Sequence, residues 1–206
     1  MAINKASQIK TIIFDLGRVI VDFEHQAICT KLAEHSPFSP DRIYEIIFKS
    51  DLEPSFDKGL VSAEKFYSKV KKEAELKLGI DCFKEIWTNI FKIIPGIDSI
   101  LTALKKKHKM LCLSNTNQWH FEFCLEKFPV LNLFDDFILS YEIGHSKPDK
   151  AIFEKALQKA GALPSECIYI DDVVEFVEKA KETGINGIHF TSVKDLNNEL
   201  SALNII

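Results

Sequence analysis

Four short apolar runs stand out along the chain: Thr11-Ile12-Ile13-Phe14, Met110-Leu111-Cys112-Leu113, Phe137-Ile138-Leu139 and Cys167-Ile168-Tyr169-Ile170. A weaker fifth is Gly187-Ile188-His189-Phe190. These runs are rich in β-branched residues and end in polar or small ones, which predicts strands buried on both faces. Segments of helical periodicity lie between most of them, from Ile97 to Lys107, from Pro148 to Ala160 and from Val174 to Thr183. Runs of the two kinds in alternation signal βαβ units and a parallel sheet covered by helices on both sides.

Between the first and second runs this rhythm breaks. Residues 22–94 contain no convincing strand, although a crossover needs far fewer residues. Helix starts are marked there instead. Ser39-Pro40 supplies a cap followed by proline at the first helical position, and Asp81 is predicted to cap another helix. Ser62-Ala63-Glu64 opens a third helix, predicted to run to Leu78 and stop at Gly79. The segment therefore reads as a small helical cap inserted after the first strand, with Pro95-Gly96 marking the return to the core. The expected division is a core of residues 1–21 and 95–206 and a cap of residues 22–94.

Composition narrows the class without deciding it. A chain of 206 residues with 46% hydrophobic and 27% charged residues is ordinary for a globular protein. Its net charge of −4 argues against a nucleic-acid partner, and Lys105-Lys106-Lys107-His108-Lys109 reads as a solvated helix end. The five cysteines are widely spaced with no C-x-x-C pair, which fits reduced thiols rather than disulfides or a zinc site. The N-terminus is polar, and no stretch approaches a membrane span. The expected location is the cytoplasm, with no membrane partner.

The chemistry gathers where strands end, which is where open α/β sheets bind ligands. Asp15 follows the first run, and Ser114-Asn115-Thr116-Asn117 follows the second. Lys147 lies in Ser146-Lys147-Pro148-Asp149 beyond the third, and Asp171-Asp172 closes the fourth. Singly, each has a bland explanation: acids and amides cap helices and turns, and a Lys before Pro is usually solvated. Together they fit one reaction. A carboxylate can attack phosphorus, carboxylates can hold magnesium, and hydroxyl, amide and ammonium groups can hold the transferring oxygens. No Gly-rich dinucleotide loop, P-loop, Ser nucleophile elbow or His-rich metal motif competes with that set.

In order and spacing these stations resemble the four motifs of the haloacid dehalogenase-like hydrolases, a superfamily made up mostly of magnesium-dependent phosphatases. Phe14-Asp15-Leu16-Gly17 resembles the first and Leu113-Ser114-Asn115 the second. Gly144-His145-Ser146-Lys147-Pro148-Asp149 with Ile152-Phe153 resembles the third, and Tyr169-Ile170-Asp171-Asp172 the fourth. Gly59-Leu60-Val61-Ser62 followed by Phe66 is similar to the family's helical cap. Val21-Asp22 and Leu113-Ser114-Asn115-Thr116-Asn117 are similar to a sugar-phosphatase branch that acts on α-D-glucose 1-phosphate. The resemblance implies a Rossmann-like three-layer core with a helical cap, and a small-molecule phosphate ester as substrate. It implies Asp15 as nucleophile and Lys147 as its catalytic partner. It also implies Ser114, Asn115 and Lys147 on phosphate, and Mg2+ on Asp15, the Gly17 carbonyl and Asp172 with Asp171.

The chain departs from the family pattern at three positions. Gly17 stands where many such phosphatases carry a second Asp as general acid and base, a gap that the sugar-phosphatase branch shares. Phe176 stands where an Asp or Asn often supports the metal, with Glu175 adjacent as a substitute, and Val173 replaces a polar residue. Asp22, Glu24 and His25, beyond the first strand, are candidates for the missing acid, Asp22 first. Phe23, Phe56, Trp87 and Trp119 are either pocket walls or core. Two other readings are a metal-free 2-haloacid dehalogenase and a catalytically impaired member that binds a phosphorylated ligand or protein partner.

Overall fold

In the computed structural model, which describes residues 9–206, the first apolar run forms the central strand β1, Thr11–Phe14, with every residue buried. The polar N-terminus and the start of the expected core, residues 1–8, lie outside the described residues. After β1 come β2 (Val21–Asp22) and five helices: α1 (His25–Ala33), α2 (Pro40–Phe48), α3 (Leu52–Asp57), α4 (Ala63–Glu73) and α5 (Ile80–Thr88). Then follow β3 (Lys92–Ile93), α6 (Ile97–Lys105), β4 (Lys109–Ser114) and α7 (Gln118–Lys127). The chain continues through β5 (Asp136–Leu139), α8 (Ser140–Ile143), α9 (Lys150–Ala160), β6 (Cys167–Asp171), α10 (Val174–Glu182), β7 (Asn186–His189) and α11 (Val193–Ala202).

The five-stranded sheet has the order β5-β4-β1-β6-β7, with all neighbours parallel. Alternation along its strands separates two cores. Ile12, Phe14, Met110, Cys112, Ile168 and Ile170 pack with residues of α6, α7 and α11. Ile13, Leu111, Leu113, Cys167 and Tyr169 turn the other way, onto α9 and α10. Period-two side chains buried on both faces make the three-layer architecture that the continuous apolar runs predict. Strand order reverses at β1, between β4 and β6, so the site forms at that switch point.

Helices α1 to α5 share a third cluster built around Phe66, Phe83 and Trp87, and Trp119 of α7 joins it. Phe56, Trp87 and Trp119 are therefore core residues, whereas Phe23 lines the main cavity. Gly59, at φ +66°, packs so closely on α8 that a Cβ would lie 2.1 Å from the Tyr141 carbonyl oxygen. Only glycine tolerates both the dihedral and the approach.

Three local expectations are corrected. The segment before the second apolar run does contain strands: β2 and β3 pair antiparallel, Val21 with Ile93 and Asp22 with Lys92. Two residues each are too short for alternation to register in the sequence. Asp81 does not cap α5; the N-cap is Gly79, and Asp81 lies in the first turn, where its charge complements the helix dipole. Helix α4 ends at Glu73 rather than Leu78, because Glu75 adopts φ +49° and the Leu76 amide turns back to the Lys71 carbonyl. Leu76 and Leu78 still bury themselves in the helical cluster, which is why their spacing read as helix.

Ser39 caps α2 through the Arg42 amide, and Ser62 caps α4 through the Lys65 amide, as their spacing predicts. The basic run divides. Lys105 ends α6, while Lys109 begins β4 and donates to the Lys159 and Ala160 carbonyls at the end of α9. Four cysteines are buried and Cys82 is exposed. Among the described residues no helix is long and apolar enough to cross a membrane.

Candidate active site

Parallel pairing brings three strand ends together. The Asp15 amide donates to the Ile170 carbonyl at 2.8 Å, which sets Asp15 beside the end of β6. Ser114 ends β4 on the other side of β1. Asp15, Ser114, Asn115, Lys147, Asp172 and the backbone of Gly17 line one cavity of about 280 Å³. The residues singled out in the sequence thus converge, except that Asp171 lies beneath the cavity wall, fully buried.

Lys147 is the hub. Far from being solvated, it is 4% exposed. Its Nζ donates to Asp15 Oδ1 at 2.7 Å and to Asp171 Oδ2 at 2.8 Å. It also lies over the rings of Phe176, at 5.2 Å, and Tyr169, at 5.8 Å. Burial alone would push this ammonium toward deprotonation, but the two carboxylates outweigh it and hold its pKa above the ordinary lysine value. Asn115 fixes the loop that carries Lys147: its Oδ1 accepts from the Lys147 amide at 2.7 Å, and its Nδ2 donates to the Lys147 carbonyl at 3.0 Å. One amide proton of Asn115 is left for a ligand. Among the described residues the Ser114 hydroxyl meets only the Asn115 carbonyl, at 3.4 Å, and is available to the cavity it lines.

Asp171 is committed to its neighbours. One oxygen accepts from Lys147 and from the Tyr169 hydroxyl, and the other accepts from the Val173 amide at 2.8 Å. Asp15, Asp171 and Asp172 place carboxylate oxygens within 4.8 Å of one another. Three carboxylates facing one ammonium leave an excess of negative charge. Burial raises Asp15 to about 7, Lys147 opposing the rise and Asp171 adding to it. Burial and then Asp171 likewise raise Asp172. Hard oxygen donors with unbalanced negative charge suit a divalent cation such as magnesium. The donors free to take it are Asp15, Asp172 and the Gly17 carbonyl, while Asp171 holds Lys147.

The gap at Gly17 has a steric counterpart. A Cβ there would meet Phe23 Cε1 at 2.9 Å, so the Phe23 ring occupies the space a side chain would need. Of the candidates for the missing acid, Asp22 and Glu24 line a separate cavity with Ala27 and Lys92. Only His25 faces the main one, stacked on Phe48 at 4.3 Å, and burial lowers its pKa to about 4, leaving it neutral. Glu175 is exposed, and Phe176 contacts Lys147 rather than leaving a hole.

Sequence reasoning missed Arg18, Glu53, Asp57 and His120, which also line the cavity. Glu53 and Asp57 did carry a signal. Like charges four apart on a short helix are unfavourable by themselves, so such a pair calls for another cause.

Fold and site together define a three-layer Rossmann-like α/β protein with an acidic, lysine-bearing cavity at the carboxyl ends of its central strands. The chain belongs to the haloacid dehalogenase-like hydrolase family, whose sequence profile matches residues 12–190. It is 27% identical over 203 residues to a D-ribitol-5-phosphate phosphatase of Bacteroides thetaiotaomicron, covering 95% of this chain and 98% of that protein. It is 25% identical over 190 residues to a phosphorylated carbohydrates phosphatase of Thermotoga maritima, covering 87% of this chain and 84% of the other. A crystal structure of a haloacid dehalogenase family enzyme from B. thetaiotaomicron, in complex with magnesium and inorganic phosphate, superposes with a TM-score of 0.83. That match has 24% identity and covers 93% of this chain and 98% of that one.

Proposed function

We propose that this protein is a magnesium-dependent phosphatase that transfers the phosphoryl group of a small phosphorylated sugar or polyol to Asp15 and then to water. The observation that carries the reading is Asp15 itself, a carboxylate at the end of the central strand, on the wall of the cavity and held by a buried lysine. The two similar phosphatases, both named for phosphorylated carbohydrates or polyols, support the substrate class.

In this reading Asp15 Oδ2 attacks phosphorus while Lys147 holds Oδ1, so that one oxygen is oriented and the other free. Ser114 and the spare amide proton of Asn115 donate to the phosphoryl oxygens. Magnesium on Asp15, Asp172 and the Gly17 carbonyl would supply charge neutralisation between the carboxylates and the phosphate. Tyr169 and Asp171 keep Lys147 in place. The helical unit of residues 22–94 acts as the cap, contributing Phe23, His25, Glu53 and Asp57 to the cavity wall.

A panel of sugar, polyol and other small phosphomonoesters, assayed with magnesium and with chelator, tests the proposal. The expected result is turnover that needs the metal and that Asp15→Asn abolishes. Metal-independent release of halide from 2-haloacids would favour the dehalogenase reading, which needs no acid at Gly17.

A further inference from the structure

A phosphate ester with a poor leaving group needs a proton delivered to the departing oxygen, and position 17 cannot deliver it. The cavity wall offers another source. Glu53 and Asp57 lie one turn apart on α3, and both line the cavity with Asp15 and Lys147. Asp57 is anchored from both sides. Asn117 Nδ2 donates to its Oδ1 at 2.9 Å, and the Ser140 hydroxyl donates to its backbone carbonyl. Asn117 Nδ2 also lies 3.1 Å from His120 Nδ1, while His120 Nε2 lies 3.0 Å from the Trp87 carbonyl. A carbonyl can only accept, so Nε2 carries the imidazole proton and Nδ1 accepts from Asn117. His120 is thus held neutral, with burial lowering its pKa to about 3, and it does not compete as an acid. Among the described residues, no partner forms a hydrogen bond to the Glu53 carboxyl.

Resting on the phosphatase reading, we propose that Glu53 is the general acid and base of this site, and that Asp57, fixed by Asn117 one turn along α3, holds a carboxylate charge beside it that keeps the proton on Glu53. In the first half-reaction the Asp15 carboxylate forms a bond to phosphorus as the ester P–O bond breaks. The Glu53 proton passes to the leaving alkoxide, giving the free alcohol and a Glu53 carboxylate. In the second half-reaction Glu53 takes a proton from water as its oxygen attacks phosphorus. Asp15 leaves as carboxylate, inorganic phosphate is released, and Glu53 is again protonated.

The electrostatics agree with the division of roles. Burial first and the Asp57 charge second raise Glu53 to about 8, whereas burial raises Asp57 only to about 6, with the Asn117 hydrogen bond opposing it. Near neutrality the pair therefore holds one proton, and Glu53 holds it. The other charged groups on the cavity are Arg18, Lys147, Asp15 and Asp172, and His25 is neutral. Helices α2, α4 and α8 pack on α3, but none of their charged side chains lines the cavity.

The test compares two esters on the intact protein with magnesium: a polyol phosphate, whose leaving alkoxide needs a proton, and p-nitrophenyl phosphate, whose leaving group departs as an anion. Glu53→Gln should lower kcat/KM on the polyol phosphate by about 10²–10⁴-fold, far more than on the aryl ester. It should also remove the alkaline limb of the pH profile, and Asp57→Asn should shift that limb to lower pH. Equal losses on both esters, an unchanged rate on the polyol phosphate, or an intact alkaline limb in Glu53→Gln would overturn the inference. In that case loss of both activities in Asp15→Asn would leave the phosphatase reading standing. Absence of turnover of either ester by the wild type would overturn the phosphatase reading and this inference together.

Discussion

Lys147 shows how much of the site rests on one buried charge. Its ammonium answers two carboxylates that are themselves almost without solvent, and the rings of Tyr169 and Phe176 lie against it. Lys147→Met should abolish turnover and destabilise the fold by about 3–5 kcal/mol, because it leaves Asp15 and Asp171 buried and uncompensated. Urea denaturation measures the second effect; a variant as stable as the wild type would show that the carboxylates do not depend on the lysine. Read singly in the sequence, a lysine before proline pointed to solvent, and only its place among the other strand-end residues drew it into the site. Phe176 was legible as a departure from the family pattern but not as a wall of the lysine pocket. A contact between side chains 29 positions apart, counted from 147 to 176, leaves no trace in local spacing.

At the scale of elements, the strands of the sheet declared themselves because residues buried on both faces make unbroken apolar runs. In the helical segment the starts at Ser39 and Ser62 were legible, its internal boundaries less so. An αL turn at Glu75 and two-residue strands depend on tertiary packing rather than on local pattern. Its attachment to the core turns on Asn117, which the sequence suggested only as a helix cap. The cap is real: Asn117 Oδ1 accepts from the His120 amide at 3.0 Å. The same side chain also reaches Asp57 and the Trp87 indole, so one amide joins α3, α5 and α7. Asn117→Ala should therefore cost about 1–3 kcal/mol, the penalty for leaving buried polar partners unsatisfied, in addition to the lost cap. Thermal denaturation checks this; a loss no larger than that of an exposed cap would contradict the junction described.

For the whole molecule, acidic groups raised by burial make stability depend on pH. The ordinary value for Glu53 is 4.5, and in the folded protein burial and Asp57 lift it to about 8. Between those values the folded state holds a proton that the unfolded state has released, so this group lowers stability as pH rises through that window. Glu53→Gln removes the effect. Its urea midpoint, relative to the wild type, should climb as pH rises from about 4.5 to about 8. Parallel profiles would show that Glu53 titrates as an exposed carboxylate. The four-residue spacing of Glu53 and Asp57 hints at the pair in the sequence, but the burial that raises them arises only when α3 packs against the cavity.

In the proposed reaction everything turns on Asp15 carrying the phosphoryl group. Acid-quenching the enzyme during turnover of a phosphate-labelled polyol phosphate, with magnesium present, tests it most directly. The expected result is label bound to the peptide that contains Asp15, lost on treatment with hydroxylamine and absent from Asp15→Asn. Steady turnover with no protein-bound label, or equal turnover by Asp15→Asn, would contradict it.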